Sequence, residues 1–118
     1  METIKSSNEI TELFTEGTRI KTPYVTFLYR SRSSDGLPAN GRIAVIAGKK
    51  LGNAVWRNYA KRRMRSLIRD LKGPWLSHDV ALIAKSSITT APYKTILVSC
   101  RRALEKAPFH GKETIYES

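Results

Sequence analysis

The chain has 118 residues, 41% of them apolar, with two Trp, five Tyr and three Phe, which suits one hydrophobic core and a single domain over residues 1–118. Its 21 Lys and Arg against 10 Asp and Glu give a formal charge of +11, favouring a polyanionic partner because such a field concentrates phosphate and speeds encounter. Cys100 is the single cysteine, which excludes an internal disulfide, and no apolar run suits a signal peptide or a membrane span, so the expectation is a reduced, cytoplasmic protein.

Residues 7–16 start with Ser7 or Asn8 as a cap and carry Glu9 and Glu12 in or near the first turn. They space Ile10, Leu13 and Phe14 at i, i+3, i+4, which predicts a short helix closed by Gly17. Beyond Pro23, residues 24–29 (YVTFLY) read as a strand from their β-branched and aromatic content. Residues 30–40 (RSRSSDGLPAN) read as a hairpin loop, and residues 42–47 as its return strand, apolar enough to lie near the sheet centre. Gly52 and Asn53 then cap a long basic helix, about 20 residues and roughly 30 Å, that Gly73 and Pro74 terminate. Residues 79–85 (DVALIAK) predict another buried strand, and residues 86–91 a polar linker. Pro92 opens a last helix with Tyr93, Ile96, Leu97, Cys100, Ala103 and Leu104 at helical spacing, and the tail from Pro108 is expected to fray. This order describes an α+β fold with helices on a small sheet.

Residues 49–72 (KKLGNAVWRNYAKRRMRSLIRDLK) hold nine of the 21 Lys and Arg and one acid, Asp70. With Asn58 at zero and 100° per residue, Lys61, Arg62, Arg65, Arg69 and Lys72 fall between about 300° and 40°. Trp56, Ala60, Met64, Leu67 and Leu71 fall between about 160° and 240°. Such a helix buries one side against a sheet and offers a ladder of donors to RNA or DNA, whose phosphates dominate affinity. Acids interleaved at i, i+4 would mark a salt-bridged solvent face; from Lys49 to Arg69 there are none. A membrane surface would attract the same charge, but the chain lacks the wedge of exposed Trp, Phe and Leu of an interfacial helix.

The sequence has no Gly-rich phosphate cradle, no metal-spaced Cys/His cluster and no close carboxylate pair. His78 beside Asp79 invites a proton-transfer reading, yet neighbours on a strand point to opposite faces. His110 stands alone, and Cys100 among Ile96, Leu97 and Leu104 reads as a small core residue. Trp56 and Trp75 read as packing residues. No catalytic residue and no metal ligand is assigned, so catalytic groups are expected from another molecule.

The run Lys49-Lys50-x-Gly52-Asn53-Ala54-Val55-x-Arg57-Asn58, continued through Lys61-Arg62 and Arg65, resembles the signature of the protein subunit of bacterial ribonuclease P. Looser similarity extends through Leu13-Phe14 and Gly17, Leu28-Tyr29, and Asp79-Val80-x-Leu82-Ile83-Ala84-Lys85. The resemblance implies a small, mostly antiparallel sheet packed with three helices, similar to a ribosomal-protein domain, with a left-handed crossover carried by the basic helix. General statistics favour the right hand in ~98% of such connections, so that hand comes from the resemblance alone. The implied activity is assistance to a catalytic RNA that removes the 5′ leader from precursor tRNA by hydrolysis. Mg²⁺ would be bound mainly by that RNA. The implied partners are the catalytic RNA and precursor tRNA, with no membrane and no DNA.

On the same resemblance, Lys49, Lys50, Arg57, Asn58, Lys61, Arg62 and Arg65 match the family's basic signature and are assigned to RNA. Asn53 joins them from that signature and Arg69 from the cationic face. Phe14, one of Tyr24 or Phe27, and Lys85 are candidates for a cleft that in the family holds single-stranded leader between the first helix and the central strands. Phe14 is open between cleft and core, and at least one of Tyr24, Phe27 and Tyr29 is expected to be buried. The chain departs from the pattern at Tyr59, where arginine is common, at Ile10, where an aromatic is common, and at Gly48, where serine often stands. Tyr59 gives up a phosphate donor and either stacks on a base or packs at the helix edge. The alternative function is a ribosomal or other structural RNA-binding protein with no role in catalysis.

Overall fold

The computed structural model describes residues 3–32 and 39–109. Its elements are α1 (Ser7–Glu16), β1 (Thr18–Lys21), β2 (Val25–Ser31), β3 (Arg42–Ile46), a 3₁₀ turn (Lys49–Leu51), α2 (Ala54–Asp70), β4 (His78–Ala84), a second 3₁₀ turn (Ser86–Thr89) and α3 (Tyr93–Leu104). The sheet order is β1-β2-β4-β3, with β3–β4 parallel and the other pairs antiparallel. A parallel pair requires a long crossover, and α2 supplies it. The α+β class and the three helices on a mostly antiparallel sheet are as expected.

The strand order corrects two expectations. The segment 42–47 is not central: β3 lies at an edge, and it does not form a hairpin with β2, because β4 is inserted between them. Chain neighbours usually pair, but β4 is buried along nearly its whole length and takes the centre. Residues 33–38 of the expected hairpin loop lie outside the described residues. The outer edge of β3 is met by the N-terminal segment, where the Ile4 N–H donates to the Ile43 carbonyl at 2.7 Å. β1, which carried no strand signal, is a short and largely exposed edge strand.

Cross-strand partners share a face, so register sorts the sheet into rows. Ile20, Phe27, Leu82 and Val45 form one row, and Thr18, Tyr29, Val80 and Ile43 the next. Both lie on the side covered by Ala60, Met64, Leu67 and Ile68 of α2 and by Ile96, Cys100 and Leu104 of α3. On the other side, Leu28, Ala81 and Ala44 join Leu13 of α1 and Ile4 in a smaller cluster. Ile88 is buried in the main core, so the stretch read as a polar linker contributes to packing.

Local details depart from the expected caps. Ser6, rather than Ser7 or Asn8, caps α1, its Oγ accepting from the Glu9 N–H. Gly17 is extended, not left-handed, at φ −73° and ψ 160°. A Cβ there would lie 2.4 Å from the Leu13 carbonyl oxygen and 2.8 Å from Leu28 Cδ1, so glycine is required by close approach. The left-handed residue after α2 is Lys72, at φ 67°, not Gly73. Helix α2 has 17 residues, about 26 Å at the standard rise. The tail expected to fray from Pro108 is anchored through Phe109, fully buried with its ring 5.1 Å from Trp75, 5.2 Å from Tyr29 and 5.0 Å from His78. An isolated aromatic has no periodicity to announce it. His110 and the remainder of the tail lie outside the described residues.

Candidate nucleic-acid interface

The interface starts at the entry to α2. Asn53 Oδ1 accepts from the Trp56 N–H at 2.9 Å and satisfies one of the orphan donors of the helix start. Gly52 precedes it at φ 175°, ordinary extended backbone, yet a Cβ there would fall 2.7 Å from both Cβ and Cγ of Trp56. Trp56 in turn donates its Nε1 proton to Thr89 Oγ1 at 2.8 Å. The glycine-asparagine pair therefore seats Trp56 and sets the direction of α2. Of the residues assigned to RNA, Asn53 has a structural duty for its oxygen.

Beyond this start, the fold keeps the cations on the outside. Lys49, Lys50, Asn58, Arg62, Arg65 and Arg69 are exposed, and Arg57 and Lys61 are half-buried. Among the described residues, Lys49, Lys50, Arg57, Lys61, Arg62 and Arg65 form no ion pair. Asp70, the lone acid of residues 49–72, accepts from the Tyr93 hydroxyl at 2.5 Å. Burial, followed by that bond to Asp70, raises the Tyr93 pKa and keeps the phenol protonated. Arg63 lies off the cationic arc and points inward, donating to the carbonyls of Ile88 at 3.1 Å and Ala91 at 2.6 Å.

The carboxylates gather elsewhere. Asp79, 1% exposed, accepts from Arg42 Nε at 3.0 Å and Nη2 at 2.9 Å, with Arg30 at 3.7 Å and Arg32 at 3.9 Å. From α1, Glu9 bonds Arg42, while Glu12 and Glu16 pair with Arg30 at 3.2 and 3.5 Å. The bond from Arg42 lowers the pKa of Glu9, and the bonds to Asp79 and Glu9 raise that of Arg42. Arg30, Asp79 and Arg42 are one cross-strand row, so the network straps α1 across one end of the sheet. His78 points to the opposite face, its Nδ1 3.0 Å from the Leu76 carbonyl, and makes no pair with Asp79.

Past α1 the same side of the sheet continues as the row Lys21, Thr26, Ile83 and Ile46. Phe14 borders it, 38% exposed, with the Arg19 guanidinium over its ring at 5.6 Å. Of the aromatic candidates for the leader cleft, only Phe14 lies on this side of the sheet. Phe27 is wholly buried on the α2 side, which removes it as a base-stacking candidate. Tyr24 is half-buried against the same α2-side core. Both are set by the pleat, which sends alternate residues through opposite faces. Lys85 donates to the Thr22 carbonyl at 2.6 Å, at the turn between β1 and β2. The sequence did not single out Thr26, Ile46, Ile83, Arg19 and Lys21 on this side, because only register aligns them.

Comparisons with known proteins bear on the family and the fold. A family model described as Ribonuclease P matches residues 1–108. A ribonuclease P protein component from Streptococcus mutans is 30% identical over 115 residues, 97% of this chain and 92% of that protein. One from Syntrophomonas wolfei is 30% identical over 92 residues, 77% of this chain and 74% of that protein. The fold resembles the RNase P protein of Staphylococcus aureus with a TM-score of 0.73 at 23% identity, covering 92% of this chain and 97% of that one. The RNase P protein of Thermotoga maritima gives 0.73 at 22% identity, covering 90% and 97%.

Proposed function

Because the chain belongs to the ribonuclease P protein family, we propose that its α2 face binds the catalytic RNA of that ribonuclease while its α1 side receives the leader of precursor tRNA. The family function is that of the protein component in tRNA 5′ processing. The observation that carries the assignment of faces is the separation of charge. Among the described residues the exposed cations of residues 49–69 have no carboxylate partner, whereas Glu9, Glu12, Glu16 and Asp79 are drawn to the opposite side of the sheet.

Two RNA chains brought together repel, and a cationic rod between them lowers that repulsion while releasing bound counterions. Arginine forks grip phosphate bidentately and lysines act as mobile point charges. The leader, being single-stranded, needs contacts that tolerate any base, and Phe14 with Arg19 and Lys21 supplies a ring and charges for that. Chemistry at the scissile phosphate is assigned to the RNA, together with its Mg²⁺. Among the described residues no group of three or more His, Cys, Asp or Glu is placed to hold a metal ion.

The test is reconstitution. Added to a bacterial ribonuclease P RNA at low Mg²⁺, the chain should stimulate release of the 5′ leader from precursor tRNA. Absence of stimulation across the Mg²⁺ range would reject the reading.

A further inference from the structure

Tyr59 stands at the rim of the cationic face, next to Asn58 and three residues before Arg62, and is 39% exposed. Its ring lies over the Arg63 guanidinium, whose central carbon is 5.1 Å from the ring centroid. That guanidinium is itself pinned, because Arg63 Nη1 donates to the carbonyls of both Ile88 and Ala91. A fixed planar cation against one side of the phenol holds the ring in place and leaves its exposed side for a second planar partner. One turn earlier, Val55 is 77% exposed and adds apolar surface beside the ring. A purely ionic phosphate surface has no use for a braced aromatic with an apolar neighbour. An aromatic platform next to arginine donors is how proteins hold unpaired nucleotides.

We propose that Tyr59 is a stacking platform for one unpaired nucleobase of the catalytic RNA, with Arg63 as the positioning residue beneath it and Arg62 on a neighbouring phosphate. The inference rests on the assignment of the α2 face to that RNA. Geometry selects the catalytic RNA over the leader. α2 packs on the row containing Phe27 and Leu82, whereas Phe14 and α1 lie across the sheet on the side of Leu28 and Ala81.

The experiment titrates the full-length chain with a bacterial ribonuclease P RNA over a series of KCl concentrations, comparing the unsubstituted protein with Tyr59→Leu, Tyr59→Phe and Arg62→Ala after thermal melts confirm folding. Tyr59→Leu should weaken binding about 5- to 150-fold, the range for loss of one stacked base. The slope of log Kd against log salt should not change, since no cation is lost. Tyr59→Phe keeps the ring and should bind within about twofold of the unsubstituted chain. A single-stranded leader oligonucleotide should bind all the Tyr59 variants equally. Undiminished affinity in Tyr59→Leu overturns the proposal. So does an equal loss in Tyr59→Phe, which would indicate a hydroxyl contact, or a loss confined to the leader oligonucleotide. Weaker binding and a shallower slope for Arg62→Ala, beside unaltered Tyr59→Leu, would keep α2 on the RNA and remove only the stack. No loss in either would remove both.

Discussion

At Arg62 the helix presents a guanidinium that is exposed and has no carboxylate partner among the described residues. Truncation therefore removes little folding energy, and on the proposed function its effect should fall on RNA binding. Arg62→Ala and Arg57→Ala should each weaken binding to the catalytic RNA by ~1–3 kcal/mol, with a shallower salt dependence. Filter binding at several KCl concentrations checks both. Cys100 is the contrasting case: it is wholly buried, and burial pushes its thiol up from an ordinary 9.0 to about 12. The native chain should resist a water-soluble thiol reagent at pH 8 and react once denaturant exposes the thiol. Because the fold favours the neutral thiol, its contribution to stability is complete below the ordinary value and is lost as pH climbs from there towards 12. Rapid modification without denaturant would contradict this burial. These two residues were readable in sequence, one on a polar arc and one among Ile96 and Leu104. Phe14 and Phe27 were not, since an aromatic pattern does not say which side of a sheet each ring takes.

At the scale of the element, α2 depends on its first turn. Gly52→Ala would drive a methyl into Trp56, with the nearest atoms at 2.7 Å. Relieving that overlap shifts either the indole, with its bond to Thr89, or the start of the helix. We expect a loss of ~1–3 kcal/mol, the usual cost of overpacking, measured by urea unfolding, together with weaker RNA binding as the cation row is displaced. Stability equal to the unsubstituted chain would show that Trp56 moves freely. Asn53→Ala removes the cap and should cost ~1 kcal/mol. The helix and its cap were legible because capping and periodicity act within a few residues. The second 3₁₀ turn was not, because Ile88 is a core residue only through its contact with distant elements.

Across the whole molecule, Asp79 ties three strands and α1 together through Arg30, Arg42 and the glutamates of α1. Replacing it with Ala leaves largely buried guanidinium groups without their central partner, and breaking such a pair typically costs ~3–5 kcal/mol. Chemical denaturation of Asp79→Ala measures it, and a change below about 1 kcal/mol would place the network among weak surface pairs. Glu9 gives the strap a pH dependence. Its pKa is lowered by Arg42, so the stabilisation is fully present above the ordinary carboxylate range and is lost as pH falls through the lowered value. Hydrogen exchange in α1 should accelerate in that acid range, and Glu9→Gln should remove the pH dependence. Since α1 carries Phe14, the side of the sheet proposed to receive the leader is held in shape by this ionic strap.

Charge, amphipathic helices and the glycine-asparagine entry to α2 were contained in the chain as written, because each is a property of neighbouring residues. The strand order belongs to the tertiary structure. Residues 42–47 carry the same apolar run whether central or at an edge, and only the α2 crossover, by delivering β4 between β2 and β3, decides which. The same event decides that Arg30, Asp79 and Arg42 meet, that Phe27 is core while Phe14 is exposed beside α1, and that the cations of α2 lie across the sheet from Asp79 and the glutamates of α1. Local rules specify what each segment is; long-range pairing specifies which side chains share a surface, and so separates the exposed cations of α2 from the α1 side of the sheet.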